Sequence, residues 1–564
     1  MDRKLVCVAG LLSMALLSGV LHGQQTPDPT KPPTDAWPTY HGDYKANHFS
    51  PVTQITTANA RNLSVAWMYR TNGSPEGAIL AGEGPDPTPP PVPAGRGAGG
   101  FGGGRGGAAV SGGTIKGIPL MVNGVLYLAT TNNVYAIDAR SGAEIWHFYW
   151  KSSGGTSGTR GVTMLGTTLF FQTGDEFVVA IDATTGKERW RKRVVSGPGY
   201  TNATTPLAVK NHVILGVGGD RQDIPAWVES RDPETGEPQW RWNVTPRKGE
   251  PGIETWPSEE AAIHGGGGAW QPFSYDAELN NVIVTTANPN PVLNGLGRPG
   301  ANLYTSSIVA LNADTGKMQW YFQCSPHDVR DWDATQTVML FDGVIEGKPR
   351  KLAAQFCRNG WLFILDRTTG KSVMSKPFIT TSNVYKGTDE RGQPVPDLEK
   401  DPSLAGVLTS PDTDGAANYP APSYNPDLGL LYVNATEAFS IFYLTTTDTK
   451  AIAWGGGSEQ HVGIFPSALR AIDYKTGSVK WEHKYEGNGF WSSSYPGILT
   501  TGGGLLFTGD PAGNFRAFDA ATGKSLWHFP LGVLQSNAPS TFTIDGRQYV
   551  LVAGGDTLYA FYLQ

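Results

Sequence analysis

Residues 325–335 read SPHDVRDWDAT and set three carboxylates, Asp328, Asp331 and Asp333, within six residues, beside His327 and Arg330. In an extended chain alternate side chains share a face, so Asp331 and Asp333 point the same way. Two like charges on one face cost energy unless a cation, a proton or water relieves them. By charge alone the stretch looks like a metal site. Asp328 reads differently, as a carboxylate capping loop backbone, and His327 as a packed, hydrogen-bonded residue.

A repeat must position these groups. Asp, Gly four residues on and Trp four further recur at Asp138-Gly142-Trp146, Asp182-Gly186-Trp190 and Asp232-Gly236-Trp240. Asn312-Gly316-Trp320 and Asp366-Gly370-Met374 are variants, Asp473-Gly477-Trp481 and Asp519-Gly523-Trp527 complete the set, and a degenerate copy ends at Trp67. The Asp accepts from turn backbone, the Gly takes positive φ, and the Trp is an anchor between neighbouring units. Upstream hairpins such as the Asn123-Gly124 turn bring each unit to four strands. A period of roughly 45 residues is that of propeller blades. The chain is expected to be an all-β, eight-bladed propeller with four-stranded blades. Its N-terminal LSVAWMY (residues 63–69) supplies the outer strand that closes the ring. The two long steps between copies leave room for inserted loops.

Composition agrees: 564 residues with 17% charged, 11% aromatic, 72 Gly and 41 Pro suit a turn-rich β protein. The formal charge of −6 offers no footprint for nucleic acid. Residues 1–23 carry a short basic flank, an apolar run and a small residue at the end, which is a secretory signal, with a retained anchor as the alternative. Residues 24–564 then form one exported domain, periplasmic or secreted, with no transmembrane span in the mature chain. Residues 78–113 are a Gly/Pro-rich, low-complexity insertion, a flexible loop within the first blade. Cys324 and Cys357 are the cysteines of the mature chain, either paired or both buried thiols.

With these motifs the sequence resembles the pyrroloquinoline-quinone (PQQ) dehydrogenases, the quinoprotein alcohol dehydrogenase family, from WPTYHGDYKANHFSP to the C-terminus. The resemblance implies a PQQ cofactor with Ca²⁺ or a lanthanide, an alcohol or sugar substrate, and an external cytochrome c or quinone as electron acceptor. It makes Asp331 the base and a metal ligand, Asp333 the extra carboxylate of lanthanide-using members, and Asn288 of TTANPNP a metal ligand. Trp270 of GGGGAWQPFSYD becomes the floor under the quinone. Arg358 of CRNGW, Arg160 of TRGV and Asn418 of GAANYPAPSYNP become cofactor contacts. The chain departs from the family at several of these places. Adjacent cysteines are missing before Arg160, and Arg221 stands where the metal-binding Glu belongs, leaving Asp220 or Asp223 to replace it. Lys116 replaces another Glu; Arg330, Tyr419 and Tyr495 replace tryptophans. The alternative expectation is therefore a non-catalytic propeller, a binding or assembly scaffold with a degenerate cofactor site.

Overall fold

In a computed structural model the protein is described for residues 27–87, 113–154, 160–200, 204–219, 223–334, 336–450, 452–463, 466–487, 489–490 and 495–564. The proposed signal, most of the low-complexity insertion, and Asp220 and Arg221 lie outside them. Eight antiparallel units of four strands succeed one another along the chain. Six are built from consecutive strands; in a seventh two strands of a separate sheet, Phe439–Leu444 and Gly457–Val462, intervene between Leu430–Thr436 and Ser467–Asp473, and the eighth pairs Ser540–Ile544, Arg547–Gly554 and Thr557–Leu563 with the distant Leu63–Arg70. The ring thus closes through the N-terminal strand, as expected. One expectation needs correction: Ile79–Ala81, at the start of the supposed flexible insertion, pairs in parallel with Glu144–Trp150 and extends the first blade.

Burial falls from the first strand of a blade to its last. Leu207–Val209 is buried throughout, whereas Pro238–Asn243 of the same blade is exposed or half-buried. First strands therefore line the centre. The repeat explains how blades adhere. Indole nitrogens of Trp67, Trp146, Trp190, Trp240, Trp320 and Trp481 each donate to a carbonyl in the turn of the following copy, at Ala139, Ala183, Pro233, Ala313, Arg367 and Ala520. The glycine of that turn lies under the ring. A Cβ on Gly316, at φ +67°, would stand 2.4 Å from Trp240 Cε3. Asp, Gly and Trp thus form one interlock shared by two blades. Where Met374 replaces the Trp, its sulfur still covers Gly477.

The course of residues 34–48 has no counterpart in the repeat. Their backbone exchanges hydrogen bonds with the first strands of six blades, at Met121, Tyr275, Leu340, Tyr424, Thr500 and Thr543. The Tyr44 hydroxyl donates to Ala208 of a seventh. This segment ties the centre together, and it buries ionisable groups. His41 Nδ1 and His48 Nε2 are 2.8 Å apart, and burial lowers the pKa of His41 to about 4. Burial raises that of Asp43 to about 7, against hydrogen bonds from backbone amides such as Ala46. A carboxyl whose pKa rises on folding stabilises fully below its unfolded pKa and loses that contribution as pH climbs through about 7. Asp43→Asn keeps the acceptor and removes the titration. Its thermal midpoint should match wild type near pH 4 and exceed it at pH 8, by up to about 4 kcal/mol of stability.

Strand direction decides where function sits. Segments entering a first strand and segments leaving a second strand open on one face, whereas the Asp-Gly-Trp turns lie on the other. The long inserted stretches all belong to the first face. One of them contributes a separate three-stranded sheet of Val407–Thr409, Phe439–Leu444 and Gly457–Val462.

Candidate active site

Every candidate residue that is described stands on that first face. Arg160 precedes the first strand of the second blade, Thr163–Leu165, and Trp270 precedes that of the fourth, Ser274–Asp276. Asn288 follows the fourth blade's second strand, Asn281–Thr285. Asp331 and Asp333 lie between the fourth and fifth blades, Arg358 follows Lys348–Phe356, and Asn418 precedes Ser423–Asn425.

Asp333 is the hub. One carboxylate oxygen accepts from the Asn288 amide at 2.7 Å; the other accepts from Trp270 Nε1 and Arg358 Nη1, both at 3.0 Å. Arg358 Nη2 donates to Asp331 at 3.2 Å and to the Thr413 carbonyl at 2.5 Å. Trp270, Asn288, Asp331, Asp333 and Arg358 are thus one network, and apart from the half-buried Trp270 each is buried. Two carboxylates sharing one bidentate guanidinium in a buried setting answer the charge question raised by residues 325–335.

Arg330 does not supply that cation. It turns away toward the inserted stretch, donating to the Lys400 carbonyl, 3.8 Å from Asp401, with Trp332 and Phe442 rings nearby. Burial, opposed by the Asp401 charge, lowers its pKa. Trp332, two residues on, is the aromatic that packs here, its indole donating to the Asp412 carbonyl. Asp328 holds its own loop, accepting from the Trp332 amide, and burial raises its pKa. His327 bonds the Gly300 carbonyl, with burial and Arg298 holding its pKa down at about 4.

Local sequence sets these positions. The glycine run before Trp270 runs along the Asn288 loop: Gly267 N donates to Asn288 O and Ala287 N to Gly268 O. A Cβ on Gly266 would come within 3.0 Å of Asn288 O, so the two loops approach as closely as glycine permits. Gly161 is similar. A side chain there would press on the Tyr40 ring and Thr205 at 3.0 Å.

Arg160 lies with its guanidinium carbon 4.4 Å from the Trp270 ring centre and 4.3 Å from that of Tyr419. Its Nη1 is buried and has no hydrogen-bond partner among the described residues. Lys116 stands near it, its pKa lowered by desolvation and then by the Arg160 charge. Asn418 engages its own loop, donating to the Asp414 carbonyl and accepting from the Tyr419 amide. Tyr419, rather than Asn418, meets Arg160. Tyr495 is buried, its hydroxyl bonded to the Gly415 carbonyl and its pKa raised by burial.

Sequence reading missed two supporting residues. Glu459, on the inserted strand Gly457–Val462, accepts from the amide and hydroxyl of Thr413, the residue whose carbonyl receives Arg358. Arg298 is buried and donates to the carbonyls of Pro291 and Asp328, joining the Asn288 and Asp331 loops. Neither carries a motif, and only the fold brings them in.

Among the described residues no group of three or more His, Cys, Asp or Glu is arranged to hold a metal. No helix among them is long and apolar enough to cross a membrane.

Residues 37–167, 192–404 and 467–550 match the family model described as glucose/ethanol/alcohol dehydrogenase, beta-propeller domain. Residues 130–246 also match that of outer membrane protein assembly factor BamB. The quinoprotein alcohol dehydrogenase PedH of Pseudomonas putida is 31% identical, covering 98% of this chain and 92% of its own. A quinohemoprotein alcohol dehydrogenase of Comamonas testosteroni is 32% identical, over 93% of this chain and 73% of that protein. The crystal structure of the Comamonas testosteroni enzyme superposes with a TM-score of 0.80 at 28% identity, over 95% of this chain and 81% of that one. A europium-containing methanol dehydrogenase gives 0.78 at 26% identity, over 94% and 98%.

Proposed function

Because the chain belongs to the glucose/ethanol/alcohol dehydrogenase β-propeller family, we propose that it is an exported PQQ-dependent oxidoreductase acting on an alcohol or sugar. The observation that carries this reading is Arg160 on the face of Trp270, with a buried Nη1 that has no acceptor among the described residues. A flat, carboxylated quinone suits this place: an indole face to lie on and the cations Arg160, Lys116 and Arg358 around it. Trp270 would carry the ring of such a quinone, and Arg160 Nη1 would donate to one of its carboxylates.

A hard cation would draw on Asn288 Oδ1 and Asp331, oxygen donors of the right kind. Asp333 fits that role less well, because its oxygens already receive Asn288, Trp270 and Arg358. Asp220, the candidate fourth donor, lies outside the described residues. Ca²⁺ or a lanthanide is therefore proposed on Asn288 and Asp331, with Asp333 holding both of their loops.

A quinone held there would supply the hydride acceptor for the substrate carbon. The chain's part is to take the hydroxyl proton. Asp331 is the carboxylate for this, held by Arg358, which Thr413 and through it Glu459 hold in turn. Electrons leave to an external cytochrome c or quinone acceptor. The scaffold alternative draws its support from the shorter match over residues 130–246.

Reconstitution with PQQ plus Ca²⁺ or a lanthanide should give dye-linked oxidation of alcohols; no activity with any of these metals overturns the proposal. In that preparation Arg160→Gln should weaken quinone retention about 10-fold or more, read by the absorbance left after gel filtration.

A further inference from the structure

Cys324 and Cys357 are both fully buried in one apolar cluster, between the fourth and fifth blades. Each follows a strand, Met318–Gln323 and Lys348–Phe356 respectively. The two thiols are neighbours, both are free in this structure, and Cys324 Sγ lies 3.5 Å from Gln355 Oε1. Around them the contacts fix both ends. Asn359 donates to the Cys324 carbonyl at 2.8 Å, and Cys357 Sγ lies 3.8 Å from the Asp333 carbonyl. The chain between the two cysteines carries Asp331 and Asp333, while Arg358 directly follows the second.

We propose that Cys324 and Cys357 are a cross-linking site, joined by a disulfide in the exported protein, which closes the loop bearing Asp331 and Asp333. Both thiols give up their protons and two electrons pass to an incoming disulfide. The Cys324–Cys357 S–S bond forms as that disulfide's own S–S bond breaks, releasing it as two thiols. A small-molecule disulfide or a protein disulfide donor in an oxidising compartment serves as the oxidant. Timing follows from burial. Neither sulfur is reachable in the folded protein, and burial raises the thiol pKa of Cys324, so thiolate is scarce there. Exchange therefore occurs before the two blades close, and the bond is afterwards shielded from reductants. Its effect is to restrict the unfolded chain around the candidate base and to tie the ends of two blades together.

The cross-link is independent of quinone binding. The test uses the full chain exported through its own leader and purified without reductant. The protein is unfolded in denaturant with iodoacetamide and mapped by peptide mass spectrometry. The Cys324 and Cys357 peptides should be recovered joined and unalkylated. They should stay joined after the native protein is held in dithiothreitol, and separate only when reductant and denaturant act together. Recovery of both cysteines alkylated without reductant overturns the proposal. The double variant Cys324→Ala, Cys357→Ala serves as a second arm. Its denaturation midpoint should fall below that of the wild type and be unmoved by reductant, whereas the wild-type midpoint drops to meet it. A wild-type midpoint that reductant does not move counts against the cross-link.

Discussion

Asp331→Asn lowers the turnover of alcohol oxidation by about 10²–10⁴-fold in the quinone-loaded protein, the range for loss of a positioned general base. The amide keeps the shape and can still accept from Arg358, whose Nη2 donates to Asp331 at 3.2 Å. The variant should therefore fold and retain quinone while failing at proton removal. Steady-state kcat with a saturating alcohol is the measurement. A kcat within a few-fold of wild type would remove Asp331 from the chemistry. Asp328→Asn is the control on the same loop: its carboxylate serves the Trp332 amide, and its effect should appear in stability before turnover.

Arg358→Leu should destabilise the fold by about 3–5 kcal/mol, the cost of breaking a buried ion pair from one side. Arg358 bonds both Asp331 and Asp333, and all three are buried. Removing the guanidinium leaves two carboxylates facing each other in a poorly hydrated place, without that cation. Denaturant unfolding would show the loss as a lower midpoint with an unchanged slope. Combining Arg358→Leu with Asp331→Asn and Asp333→Asn should recover part of it, because the repulsion goes with the charges. No recovery in the triple variant would mean that Arg358 stabilises by packing rather than by charge.

Much of the architecture is legible in the amino-acid sequence, because the repeat states its own physics. An Asp for the turn, a Gly under a ring and a Trp for the next blade are one unit of contact, as the Trp320 bond to Arg367 illustrates. Ring closure by Leu63–Arg70 follows from the same counting. The convergence of Trp270, Asn288, Asp331 and Arg358 was accessible only through resemblance to a family, since these residues come from separate loops. What the sequence hides is direction. Arg330 neighbours Asp331 in the chain yet faces the inserted stretch, whereas Arg358, a blade element away, is its partner. In the same way Asp333 invites a reading as a metal ligand, while the donors that meet at it come from three separate loops. Residues 34–48 carry no period, because they answer to the first strands of many blades rather than to any pattern of their own.

Quinone binding on the Trp270 face is the central claim. Its most direct test is a PQQ titration of the purified protein with Ca²⁺ or a lanthanide, followed by absorption spectroscopy on wild type and Trp270→Ala. The wild type should show saturable binding at one quinone per chain, weakened in the variant by the loss of the indole. No retained quinone with any of these metals, or equal retention by Trp270→Ala, would contradict it.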